Sequence, residues 1–201
     1  DLTCKYDTFT MSNPSIHANN TQNKVSPNQN KLMSFLDTFP TKTLKKGSVI
    51  LNPQTVENQV KYLVSGIVRE FYVTDKKELN LDFFEAKEFI TDCVSMHNAI
   101  TSKKWQECVT DVEIKVIPRE KFEAFLRKHE GVDATFKAGF LGLLTQRETR
   151  EFSRLTKDPE ELYQELLETK PNWIQNIPQY HIASYLGVSP ETLSHIRRRI
   201  S

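Results

Sequence analysis

The chain has 201 residues, with 27 Lys and Arg against 26 Asp and Glu, a formal charge of +1. That balance excludes both a uniformly basic nucleic-acid coat and a polyacidic chain. The hydrophobic share is 38%, below the roughly 45–50% of an average globular domain, so part of the chain is expected to lie outside a core.

The polar, Asn-rich segment 1–27 is too hydrophilic to offset its ordering entropy and is expected to stand outside the fold, with residues 1–10 read as an extension ahead of a start at Met11. Cys4, Cys93 and Cys108 are too few and too widely spaced for a disulfide framework and fit a reducing compartment. No stretch approaches the ~18 consecutive apolar residues of a membrane span, and no secretory signal layout is present. The expectation is a soluble cytoplasmic protein with no membrane partner.

From Asn28 to Phe39, Leu32, Phe35, Leu36 and Phe39 recur at helical spacing, and Pro40 stops the helix. The period then becomes two. Lys45-Lys46-Gly47-Ser48 is a turn ahead of Val49-Ile50-Leu51, and Tyr62-Leu63-Val64 with Ile67–Val73 reads as a hairpin around Gly66. Thr74–Lys77 is a further turn. Leu79, Leu81 and Phe83, then Val112, Ile114 and Val116, alternate with polar partners. Short strands at this spacing predict a sandwich, roll or jelly roll over 28–130.

After Pro118, Phe122, Phe125 and Leu126 mark a short helix. A longer stripe follows at Val132, Phe136, Phe140, Leu143 and Leu144, running toward Phe152 and Leu155. A stripe of this length needs a partner: its own domain or, the preferred reading, the same helix of a second copy over 131–157. Asp158-Pro159 opens a new unit, 158–201, by cap-and-proline logic.

The strongest signal lies at residues 179–198. Ala183 is small where two helices would cross, Gly187 suits a left-handed turn, and Ser189-Pro190 is a cap followed by a favoured first helical residue. Together these are the positional demands of a helix-turn-helix. On the second helix Leu193, Ile196 and Ile200 share one side, whereas Glu191, His195 and Arg198 project opposite, flanked by Ser194 and Arg199. Such a face suits the major groove, where Glu accepts from cytosine and Arg binds guanine bidentately. Arg197, nearer the buried edge, is a phosphate candidate.

The stretch Ile177-Pro-Gln-Tyr-His-Ile-Ala-Ser-Tyr-Leu-Gly-Val-Ser-Pro-Glu-Thr-Leu-Ser-His-Ile-Arg, with Leu63-Val-Ser-Gly-Ile-Val-Arg and Glu88-Phe-Ile-Thr-Asp before it, resembles the Crp/Fnr transcription regulators, particularly a Bacteroidetes-type branch. The resemblance covers about residues 28–201. It implies an α+β architecture: an N-terminal double-stranded β-roll, jelly-roll-like and similar to cyclic-nucleotide-binding domains, a long dimerisation helix, and a C-terminal helix-turn-helix, winged-helix-like domain. It implies a homodimer on double-stranded DNA, read through Ser189, Glu191, Thr192 and His195, with Gln179, Ser194, Arg197, Arg198 and Arg199 as further contacts. RNA polymerase stands as a further partner, and Val132, Phe136, Phe140, Leu143 and Leu144 as the dimer seam.

The family's ligand positions map onto Glu88, Ser102 and Lys103, but the pattern departs there. Lys87-Glu88 stands for a Gly-Glu pair, and Ser102-Lys103-Lys104 lacks the Arg of an Arg-Ser pair. Lysine binds phosphate as a point charge without the bidentate fork. Cyclic-nucleotide binding is therefore disfavoured and the small-molecule effector unassigned. One N-terminal cysteine cannot hold an iron–sulfur cluster, and Cys93 with His97 makes no metal site, so no cofactor is expected. A β-roll enzyme would need several converging His, absent here. The remaining alternative is a ligand-sensing or protein-interaction module whose DNA-binding half is vestigial.

Overall fold

A computed structural model describes residues 27–200; the expectations for residues 1–26, Cys4 and Met11 lie outside these. Helix α1 (Pro27–Leu36) leads into eight strands: β1 (Thr41–Leu44), β2 (Val49–Leu51), β3 (Gln59–Ser65), β4 (Val68–Val73), β5 (Glu78–Phe84), β6 (Phe89–Ile90), β7 (Trp105–Cys108) and β8 (Val112–Pro118). Helix α2 (Cys93–Asn98), not foreseen in the sequence, lies between β6 and β7. The strands form two antiparallel four-stranded sheets, ordered β1-β8-β3-β6 and β2-β7-β4-β5. This is one of the forms the alternation allows, in the α+β architecture the resemblance implies.

The hairpin expected around Gly66 is not formed. β3 pairs with β8 and β6, whereas β4 pairs with β5 and β7, so Ser65-Gly66 carries the chain from one sheet to the other. Gly66 takes φ +92°, and a Cβ there would meet the Asp111 carbonyl and lie 2.7 Å from Val112 Cγ1. The residue is a corner against a neighbouring backbone, a role with the same local signature as a hairpin turn. Thr74–Lys77 does close a hairpin, β4 with β5.

Between the sheets, Leu63, Val68, Ile90, Cys108, Val112 and Ile114 form an apolar core. A second cluster joins α1 to the roll and to α3 (Arg119–Lys128) through Leu36, Val60, Tyr62, Ile117 and Phe122. Alongside them runs a chain of polar side chains. Glu57 Oε2 pairs with Lys61 Nζ at 2.6 Å, which lies 3.4 Å from Gln106 Oε1. Gln106 Nε2 donates to Glu70 Oε2 at 3.1 Å, and Glu70 Oε1 faces Lys104 Nζ at 3.1 Å. Lys104 lies 3.5 Å from Asp92, which accepts from the Ser102 hydroxyl at 2.7 Å. Lys61, Glu70 and Gln106 are at most 2% exposed, and such charges persist inside only when paired and hydrogen-bonded.

Helix α4 (Glu130–Thr156) is 27 residues long. The remaining described chain is helical: α5 (Pro159–Thr169), α6 (Pro171–Asn176), α7 (Gln179–Leu186) and α8 (Pro190–Ile200). Asp158 caps α5 with a reciprocal capping box to Glu161. Tyr163, Leu166, Trp173, Ile177, Ile182, Ala183, Leu186, Leu193 and Ile196 build the core of this unit, which continues into the roll through Ile67, Phe83 and Val109.

Candidate nucleic-acid interface

Helices α7 and α8 are joined by Gly187-Val188-Ser189. Gly187 takes φ +77°, and its N–H closes α7 onto the Ser184 carbonyl while Val188 N–H reaches Ala183. Ala183 is fully buried. The Ser189 hydroxyl accepts from Thr192 N–H at 3.1 Å and lies 3.1 Å from the Thr192 hydroxyl, so both side chains belong to the start of α8.

Leu193 and Ile196 are buried beneath α8. Glu191, Thr192, Ser194, His195, Arg198 and Arg199 are exposed, as is Gln179 at the start of α7, and Arg197 is half-buried. The Glu191 backbone N–H and the Ser189 hydroxyl hold the Glu191 carboxyl below the usual carboxylate range, making it a charged acceptor. Arg198 donates to His195 Nδ1 at 2.8 Å, so His195 presents its other nitrogen, as a donor, to the outside. Arg199 is turned to Glu160 of α5 at 2.8 Å. Arg197 lies beside Gln179, Tyr163 and Ile174 at the seam between helices.

The proposed seam residues divide between two faces of α4. Val132 is 2% exposed and Phe136 packs edge-on against Phe89 and Phe122, so both belong to the chain's own core. Leu143 is half-buried. Phe140 and Leu144 are exposed, and with them Leu141, Phe152 at 66% and Leu155 at 80%. At 100° per residue Leu141, Leu144, Phe152 and Leu155 share one stripe, opposite Val132 and Phe136. The sequence contained both stripes; only packing separates them.

On the side turned toward the rest of the chain, α4 carries three arginines at helical spacing that the sequence reading did not single out. Arg147 reaches Glu70 at 3.2 Å, and Arg150 lies 3.6 Å from Asp82 and 3.4 Å from the Tyr185 hydroxyl. Arg154 lies against Gly187, where a Cβ would stand 2.9 Å from its NH2. Glu70 and Asp82 are directly opposed across β4 and β5, a like-charge pair that these cations offset. Burial still pushes the Asp82 carboxyl up, against Arg150 and Arg147.

Each of the three ligand candidates has its own local surroundings. Glu88 accepts from Glu85 N–H within its own turn, and burial pushes its carboxyl up. Ser102 is buried on Asp92, and Lys103 is exposed. Among the described residues no group of three or more His, Cys, Asp or Glu is placed to hold a metal, and no helix is long and apolar enough to cross a membrane.

No protein-family profile and no curated protein sequence matches the chain. Solved structures do. FixK2 from Bradyrhizobium japonicum is 17% identical with a TM-score of 0.70, over 81% of this chain and 84% of that one. The c-di-GMP responsive global regulator CLP from Xanthomonas campestris is 16% identical with a TM-score of 0.66, over 85% and 90%. A transcriptional regulator of the Crp/Fnr family from Eubacterium rectale is 17% identical with a TM-score of 0.62, over 87% and 82%. The roll, the long helix and the helix-turn-helix thus occur here in one shared arrangement, and the chain has the fold of the Crp/Fnr transcription regulators.

Proposed function

We propose that the chain is a sequence-specific DNA-binding transcription regulator of the cytoplasm, acting as a homodimer on a near-palindromic operator with RNA polymerase as a further partner. The observation that carries this reading is the exposed face of α8. A charged acceptor, Glu191, sits one turn from a hydrogen-bonded His195–Arg198 pair, on a helix whose opposite side is anchored by Leu193 and Ile196. Two such helices about 34 Å apart would enter successive major grooves. Arg198 and His195 are the base readers, and Gln179 and Arg197 the phosphate contacts that fix register. Arg199, paired with Glu160, orients the end of α8.

The exposed stripe Leu141, Leu144, Phe152 and Leu155 supports pairing through α4. The buried Glu57–Lys61–Gln106–Glu70–Lys104 chain supports a regulator that does not answer to a cyclic nucleotide, because paired side chains occupy the roll between its sheets. The test is Arg198→Ala, which should weaken binding to the selected site by ~1–3 kcal/mol. Unchanged affinity for specific and random duplexes would remove Arg198 from the interface.

A further inference from the structure

The first helix of the helix-turn-helix is seated on the roll through one buried imidazole. His181, in α7, is 7% exposed, and its Nδ1 lies 3.1 Å from Arg69 NH1 and 3.3 Å from Asn80 Nδ2. The Asn80 amide is held in one orientation. Its Oδ1 accepts from Arg69 NH1 at 3.4 Å, and its Nδ2 donates to the His181 carbonyl at 3.2 Å. Arg69 is fixed as firmly, with Nε and NH2 on Glu107 at 3.1 and 3.0 Å and NH1 on Glu78 at 2.5 Å. Its guanidinium lies 3.8 Å from the centre of the Phe71 ring. Both groups facing Nδ1 are therefore donors, one of them a cation, and Nδ1 must offer a lone pair.

The contacts around this seat hold α7 to the open edge of the second sheet. Asn80 N–H donates to Ser184 Oγ at 3.0 Å, and the Ser184 hydroxyl donates to the Glu78 carbonyl at 2.9 Å. Phe83 of β5 packs edge-on against Trp173 at 5.0 Å and tilted against Tyr185 at 5.7 Å. Through the Ser184 hydroxyl the helix thus satisfies two backbone groups on the open edge of β5.

We propose that protonation of His181 releases α7 from the roll, making the position of the helix-turn-helix relative to the roll pH-dependent. A proton on Nδ1 would point into the Arg69 guanidinium and the Asn80 N–H, turning an accepted hydrogen bond into a meeting of donors. Neither neighbour can turn away, since Arg69 is tied to Glu107 and Glu78 and Asn80 to the His181 backbone. Lys46 adds to the opposition from the β1–β2 turn, and Glu78 is the charge that favours the proton. The Tyr180 ring, 4.1 Å away, packs without charge.

Burial, then Arg69, lower the His181 pKa to about 4 from its ordinary 6.5. A depressed histidine pKa favours docking fully above pH 6.5 and progressively less as pH falls toward 4. The docking equilibrium should weaken about 30-fold at pH 5 and approach a limit of about 300-fold below pH 4. This concerns the protein's own conformation and holds whatever α8 binds.

The test uses the full chain with Trp105→Phe, leaving Trp173 as the sole tryptophan. Its emission should shift to the red between pH 6.5 and 4 while far-UV ellipticity stays constant, and the His181 ring resonances should titrate in the same window. His181→Gln keeps an acceptor that does not titrate and should hold the emission constant; His181→Arg should give the shifted emission at pH 7.5. The proposal is overturned if His181→Gln shifts with the parent's midpoint. It is also overturned if the His181 titration and the Trp173 transition fail to coincide, a comparison that needs no variant at position 181.

Discussion

Replacing Glu70 with alanine tests whether the polar chain inside the roll is a balanced network. Glu70 is fully buried; one oxygen accepts from Gln106 at 3.1 Å, and the other faces Lys104 at 3.1 Å and Arg147 at 3.2 Å. Alanine leaves Lys104, 8% exposed, with Asp92 alone at 3.5 Å, and takes the partner from the Gln106 amide. Removing one member of a buried pair costs ~3–5 kcal/mol. Arg147→Ala is the contrast: its side chain is 42% exposed and already hydrated, so its loss should cost about 1 kcal/mol or less. Urea unfolding followed by far-UV ellipticity should show the Glu70→Ala midpoint well below that of Arg147→Ala with the slope unchanged. The melting temperature should fall by roughly 6–20 °C, at about 2–4 °C per kcal/mol for a chain of this size. Equal, small losses for the two variants would refute the reasoning.

Gly187→Ala forces a side chain into a left-handed turn at φ +77° and should cost about 1–2 kcal/mol in thermal or urea unfolding. The approaching Arg154 NH2 is the end of a flexible side chain and can move, so a loss much above this range would contradict the assignment of the cost to the backbone. If α4 pairs with the α4 of a second copy as proposed, the parent should sediment as a dimer and Leu144→Glu with Phe152→Glu as a folded monomer. Val132→Ala should leave that proposed pairing unchanged and lower stability by about 2 kcal/mol, and the reverse outcome would return the seam to the inner face of α4.

The helix-turn-helix was legible because its rules are local: Gly187 takes the positive φ its position demands, and Ser189 caps the helix that Pro190 starts. The alternation over 41–117 gave the strands but not their pairing. The hairpin reading of Gly66 failed because a sheet-changing corner and a tight turn need the same residue, and only the distant Asp111 backbone tells them apart. Val132 and Phe136 were grouped with Leu144 because helical spacing records apolar residues without saying what covers them. The interior charges were illegible for a related reason. Arg69 and Glu70, successive in β4, project to opposite faces, and both faces are covered, one by α7 and one by Arg147 of α4 and by Gln106, which Lys61 of the other sheet reaches. A period-two pattern assumes one wet face, and over Val68–Phe71 this strand has none. His181 carries no signal of its own in the sequence, because its partners Arg69 and Asn80 lie about a hundred residues away.

Selection of bound sequences from a pool of random duplex DNA by the full chain tests the central claim most directly. The account predicts enrichment of a near-palindromic motif, its half-sites about one helical turn apart, with enrichment lost for Arg198→Ala. Failure to enrich any motif at neutral pH and moderate salt, by a chain shown to be folded and dimeric, would contradict it.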